Sequence, residues 1–190
     1  MRKYAHSTEF TIKLAKHGTN KSTLATIPMV IVVIFAISFI LRPIAAKIAP
    51  LNYLQIKVLS ALGFLDDYTF RYLVTLIVCI AIIVALNIWS YKVVKKTNIT
   101  IANIESQYLE YNETRMCGTA CYNPEIPDSA KFFDIQIANI SKIEIVQPSI
   151  KDKIYWNLII YTPNETYRLC LTDPNAIASD LNSLSPNLFV

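Results

Sequence analysis

The sequence predicts an α+β membrane protein: a two-helix transmembrane hairpin followed by a small antiparallel β-barrel capped by a C-terminal helix. Three observations predict it. Two long runs, 24–41 and 72–91, carry no formal charge. From residue 97 the texture changes to short segments rich in Ile, Tyr and Thr that alternate apolar with polar. One helical pattern then closes the chain.

Tyr72 to Tyr91 is the firmest element. Its twenty uncharged residues suffice for a helix, rising about 1.5 Å per residue, to cross roughly 30 Å of hydrocarbon. Phe70 and Tyr72 mark one end and Trp89 and Tyr91 the other, where rings with a polar edge favour the headgroup level. Arg71 and Lys92, Lys95 and Lys96 close it on either side. A buried helix of a soluble protein is the alternative, but such helices seldom run this long. Leu24 to Leu41 is the other span, with Pro28 expected in its first turn and Arg42-Pro43 as its stop.

Between the spans, Leu51, Leu54, Val58, Leu59, Leu62 and Phe64 fall at helical spacing. Residues 51–64 therefore read as a helix in the interface plane or packed on the hairpin. Asp66-Asp67 stands where it can cap the second span, with cation coordination as the alternative. Asn87 reads as an interhelical hydrogen bond or an interface group. A transport path would call for charges inside the spans, and the two runs hold none.

Residues 1–23 read as a basic cytoplasmic tail, Arg2, Lys3, Lys13, Lys16 and Lys21 against Glu9. Alternation of Phe10, Ile12 and Leu14 also allows a short strand or an interfacial segment. No cleavable signal is expected, since more than twenty polar residues precede the first apolar run. The Lys/Arg bias favours both termini in the cytoplasm. Lys13, Lys16, Lys21, Lys92, Lys95 and Lys96 are then candidate contacts to an anionic membrane surface. Net charge is +4, and acidic residues interrupt the lysines of the C-terminal half, so no nucleic-acid partner is expected.

Strands are expected near 99–104, 107–112, 131–137, 141–147, 155–162 and 165–171. Thr162 to Glu165 reads as the turn between the last two. Asp173 or Thr172 caps a helix with Pro174 at its first position, Ile177, Leu181 and Leu184 on its buried side, and Pro186 at its end. The domains are thus the tail 1–23, the hairpin 24–91 and a barrel domain 97–186.

Catalytic chemistry is sparse. His6 and His17 both lie in the tail, and three unclustered glycines cannot cradle phosphate, so neither an enzyme nor a cofactor is expected. Cys117 and Cys121 leave three readings open: free thiols in a hairpin loop, a disulfide, or part of a metal site that closes only with four ligands. The four cysteines read as reduced thiols of a cytoplasmic domain. Asn-x-Ser/Thr triplets at Asn20, Asn98, Asn112, Asn139 and Asn164 would matter only in a lumenal protein.

The segments FFDIQIANISKIEIVQ and YRLCLTDPNAIASDLNSL resemble the strand, short turn and Ser-Lys-Ile strand start, and the last strand and capping helix, of bacterial pleckstrin-homology-like domains on small membrane proteins. The resemblance covers about residues 97 to 186, while ETRMCGTACYNPEIPDSA departs from it. It implies a PH-like barrel held at the bacterial inner membrane, multi-pass, as an adaptor for a protein partner, with the bilayer as a second partner and room for a homo-oligomer. Inositol-lipid binding at the first hairpin is argued against by Glu105, Glu110 and Glu113 facing one Arg115. The rival expectation is a structural subunit of a secretion or envelope complex, assembled through the hairpin. An enzyme or redox protein using Cys117 and Cys121 ranks below both.

Overall fold

The computed structural model describes residues 2–184, which fall into two units. One is built from both ends of the chain, up to Gly18 and from Lys95 onward; the other is Thr19–Val94. The first elements are β1 (Arg2–Ala5), α1 (Thr8–Ile40), α2 (Arg42–Ala45), α3 (Ala49–Ala61) and α4 (Tyr68–Glu105). There follow β2 (Tyr108–Tyr111), β3 (Arg115–Cys121), β4 (Ala130–Gln136), β5 (Lys142–Ile145), β6 (Leu158–Tyr161), β7 (Thr166–Leu169) and α5 (Pro174–Leu184).

Both α1 and α4 are long and apolar enough to cross a membrane; α1 starts well before its uncharged stretch, and α4 continues well past its own. Asp67 caps α4, its Oδ1 accepting the Thr69 N–H at 2.8 Å. Pro28 departs from expectation: α1 begins at Thr8, so Pro28 sits in the helix interior and removes one backbone hydrogen bond there. The connecting segment forms α3, which overlaps the expected stretch but starts two residues earlier, at Ala49, and ends at Ala61. A buried hydrogen bond from Gln55 Nε2 to Ser38 Oγ, 3.0 Å, joins α3 to α1. Asn87 Nδ2 donates to the Ile83 carbonyl at 2.9 Å and meets Met29 Sδ of α1 at 3.1 Å, the interhelical contact expected of it.

In the unit made from the chain ends, two antiparallel sheets run in the orders β1-β2-β3-β4 and β5-β6-β7. They do not join into one closed barrel. The first correction concerns the tail. Arg2 to Ala5 pair with Tyr111 to Tyr108 as an outer strand, Tyr4 stacks on Tyr111, and Lys3 pairs with Glu110 at 2.6 Å. From Thr8 the tail is helical: Phe10 and Leu14 are buried four apart while Ile12 is 63% exposed, the spacing of a helix face.

A second correction falls on 99–104, which continues α4 instead of forming a strand. Ile101 and Ile104, three apart, both turn toward the Phe10–Leu14 cluster. The buried Thr100 hydroxyl donates to the Lys96 carbonyl at 2.9 Å, satisfying itself within the helix. A third falls on 115–121, where the sequence assigns no strand and a hairpin loop is one reading of Cys117 and Cys121; it is β3 and pairs on both sides. Gly118 permits this. A Cβ there would lie 2.2 Å from the Tyr108 carbonyl oxygen and 3.2 Å from Leu109 Cα.

The other expected strands appear as β2, β4, β5, β6 and β7, each near its expected place. Ile143, Leu158, Ile160, Leu169 and Leu171 make the core with Leu109, Met116 and Phe133, and α5 covers it with Ile177 and Leu181. Leu184, assigned to that buried side, is exposed. Asp173 is the cap, its Oδ1 accepting the Ala176 N–H at 3.1 Å, while the Thr172 hydroxyl donates to the carbonyls of Ala5 and His6. Pro186 lies outside the described residues.

Candidate membrane-surface site

Helical periodicity decides how the lysines are displayed. Lys13 and Lys16 are three apart on α1, and Lys92, Lys95 and Lys96 fall at i, i+3 and i+4 on α4, so each set shares a face. All of them, and Lys21, are exposed. Lys13, Lys16, Lys95 and Lys96 belong to the β-rich unit, and Lys21 and Lys92 to the helical one. Within the β-rich unit α1 and α4 touch closely, since a Cβ on Gly18 would come 2.6 Å from the Thr97 side chain.

Two of these lysines are held. Lys13 pairs with Glu9 one turn away, and Lys96 Nζ lies 2.6 Å from Glu125 Oε2. Among the described residues, Lys16, Lys21, Lys92 and Lys95 take part in no ion pair. Glu125 also accepts a hydrogen bond from the Tyr155 hydroxyl at 2.9 Å. Burial alone would push the Glu125 carboxyl up, but the hydrogen bonds from Lys96 and Tyr155 and the charges of Lys96 and Lys153 outweigh it. Glu125 is therefore held below the usual carboxylate range and stays ionised at neutral pH.

Glu125 and Tyr155 escaped the sequence reading, and so did the turn that carries Lys151 and Lys153. Ser149 and Ile154 exchange backbone hydrogen bonds of 2.9 and 2.8 Å, closing that turn between β5 and β6. Beside it, Ile150 and Trp156 pack on Phe10, Leu14, Ile101 and Ile104. The sequence signal was there, in two lysines bracketing an aspartate between strand-like runs, although no helical or strand period selects them.

Cys117 and Cys121 lie on one strand, opposite Asp134 and Ala130, and all four cysteines are free thiols. Four residues of strand span about 13 Å, whereas a disulfide needs Cα atoms within about 7 Å. That geometry rules out the disulfide reading. Burial raises the Cys121 thiol, and burial pushes Cys170 up to about 12. Buried neutral thiols are poor nucleophiles and poor metal ligands.

In unit Thr19–Val94 an apolar cavity of about 510 Å³ opens between α1, α3 and α4, lined by Phe35, Leu54, Val58, Val74 and Val78 among others. Comparison with family models, with curated proteins and with solved structures yields no match.

Proposed function

We propose that this chain is a non-enzymatic integral membrane protein in which α1 and α4 span the bilayer and present a PH-like domain. The domain would stand at the cytoplasmic face of a bacterial inner membrane and engage a protein partner and anionic lipid. The carrying observation is the exposure of the apolar helices. Only 17% of the apolar window of α1 and 11% of that of α4 is buried. In water this would leave Ile31, Ile34, Ile77, Ile80 and their neighbours as a patch far larger than soluble monomers tolerate.

The pairing of β1 with β2 supports an even number of crossings, because the segments before α1 and after α4 form one sheet. The PH-like reading is supported by antiparallel sheets of four and three strands followed by a C-terminal helix that buries Ile177 and Leu181. The hairpin is then an insertion after the first strand. An adaptor role is supported by β4, the outer strand of its sheet, seven residues long with Phe132 exposed. Such an edge can accept an added strand from a partner. The raised thiols of Cys117 and Cys121, both pushed up first by burial, and their separation along one strand argue against the redox alternative.

The test is extraction of the full chain from native membranes. Resistance to alkaline carbonate and high salt, with release by detergent, is expected; release by carbonate alone overturns the reading. Proteolysis of inverted vesicles should cut the β-rich unit and leave it intact in right-side-out vesicles, and the opposite result would reverse the orientation.

The apolar cavity between α1, α3 and α4 favours a second reading, a structural subunit that receives another helix there. Purification in mild detergent distinguishes them. A fixed-stoichiometry complex that dissociates on Val58→Lys supports assembly through the hairpin.

A further inference from the structure

We infer that the turn Ser149–Ile154 is a second membrane contact, docking on anionic phospholipid headgroups beside the helices. The inference rests on the reading that α1 and α4 lie in the bilayer, and deepens it. Position is the first ground. The turn is fastened through Ile150 and Trp156 to Phe10 and Leu14 of α1 and to Ile101 and Ile104 of α4. Ile101 stands six residues along α4 from Lys95, about 9 Å of helix rise. Glu125, which holds Lys96, also accepts a hydrogen bond at 2.9 Å from the hydroxyl of Tyr155, the residue that follows the turn.

Chemistry is the second ground. Lys151 and Lys153 are both exposed at the tip. Asp152 between them is turned back to accept the Ser149 hydroxyl at 2.6 Å. Lys153 holds a left-handed backbone (φ 58°), a conformation that costs a lysine free energy and that Gly or Asn would adopt more readily. Trp156 lies beneath the Arg168 guanidinium, 5.1 Å from its ring centre, adding a third cation and an amphipathic ring. Lys16 and Lys95 are exposed on the two helices that the turn packs against, and the neighbouring carboxylates of Glu125 and Asp152 already have partners. Such a surface attracts anionic lipid within a Debye length.

The chain holds two tryptophans, Trp89 and Trp156, and this supplies an internal control. W89F leaves Trp156 as the reporter, and W156F leaves Trp89. Full-length protein would be reconstituted in nanodiscs of phosphatidylcholine, with and without phosphatidylglycerol, carrying a spin label on the headgroup. Trp156 emission should be quenched roughly twofold more in the anionic discs, and the excess should vanish in high salt and in K151Q/K153Q. Equal quenching in both lipids, or an excess that survives K151Q/K153Q, overturns the inference. Trp89, at the headgroup-level end of its span, should be quenched by the same headgroup label in both discs. Its failure would refute the bilayer reading itself, whereas a quenched Trp89 beside an indifferent Trp156 refutes the turn alone.

Discussion

Asn157 should be worth more to this fold than any side chain of its size on the surface. It is buried, and its amide completes the pairing of β6 with β7 beyond the last backbone bridge. Nδ2 donates to the Leu171 carbonyl at 2.7 Å, and Oδ1 accepts the Leu171 N–H at 2.9 Å. Asn157→Ala removes both partners and leaves two backbone groups of a fully buried residue unsatisfied. At roughly 1–3 kcal/mol for each orphaned group, the loss is about 2–6 kcal/mol. With a urea slope of about 1–3 kcal/mol per molar, the midpoint should fall by roughly 0.7 M or more, a large share of a small domain's stability of about 5–15 kcal/mol. Urea unfolding in micelles, followed by Trp156 fluorescence in the W89F background, reads this change beside the site. Asn164→Ala in the exposed turn serves as control and should stay within about 0.5 kcal/mol. Asn157→Asp adds a sign. It keeps the acceptor, faces a carboxylate toward the Leu171 carbonyl, and should regain stability as the pH falls and the carboxyl becomes a donor. A midpoint for Asn157→Ala indistinguishable from that of Asn164→Ala would refute the reasoning.

Asp180 on α5 should make the attachment of β1 acid-sensitive. Hydrogen bonds from Arg2 and Tyr4 hold its carboxyl down to about 2, below the ordinary value near 3.9 expected of the unfolded chain. Its contribution is therefore complete above about pH 4 and lost as the pH falls toward 2, so amide exchange in β1 should accelerate over that interval, and less so in D180N. Gly118→Ala should lower the same urea midpoint by about 2 kcal/mol or more, because the added carbon meets the Tyr108 carbonyl at 2.2 Å and backbone must yield. Thiol labelling of the native chain should reach the half-exposed Cys117 first and Cys121 and Cys170 only on unfolding, and oxidants should form no disulfide between Cys117 and Cys121. A native 117–121 disulfide found by mass spectrometry would contradict the strand.

The apolar helices, five of the seven strands and the terminal helix were legible because each carries its own period or punctuation. Tyr72 to Tyr91 is uncharged, Thr162 to Glu165 closes a turn by the Thr162 N–H donating to the Glu165 carbonyl at 2.9 Å, and Pro174 opens α5. The failures share a cause: there the decisive partner is remote in sequence. Arg2 to Ala5 is too short and too charged to announce a strand, and becomes one only because β2 offers an unpaired edge. Met116, Cys117, Gly118 and Ala120 lack the branched side chains that favour strands, and their place is set by neighbours on both sides. Ile99 to Ile104 has those branched side chains and is nevertheless helical, because continuing α4 buries Ile104 completely against Phe10 and Leu14. Of the candidate site, the lysines on helices were legible and their acidic tether was not, since Glu125 sits in an irregular loop.

The insertion of two long helices between β1 and β2 poses a folding question that the same contacts answer. Arg2 and Tyr111 are partners across more than a hundred residues of chain, and closing so long a flexible loop costs free energy that grows with the logarithm of its length. The intervening chain is not flexible. Ser22 and Ser90 meet hydroxyl to hydroxyl within the helical unit, and Gly18 lies against Thr97 within the other. Once the two helices are paired, the remaining closure runs only from Gly18 back to Tyr4 and from Thr97 on to Leu109. The long loop is thereby replaced by two short ones, and Phe10 and Leu14 meet Ile104 one helical turn at a time. On this argument β1 should join its sheet after the helices associate, and substitutions that separate α1 from α4 should slow that step more than substitutions inside β1 do. Gly18→Val, which forces the Thr97 side chain aside, is the variant that sets the two orders of assembly apart.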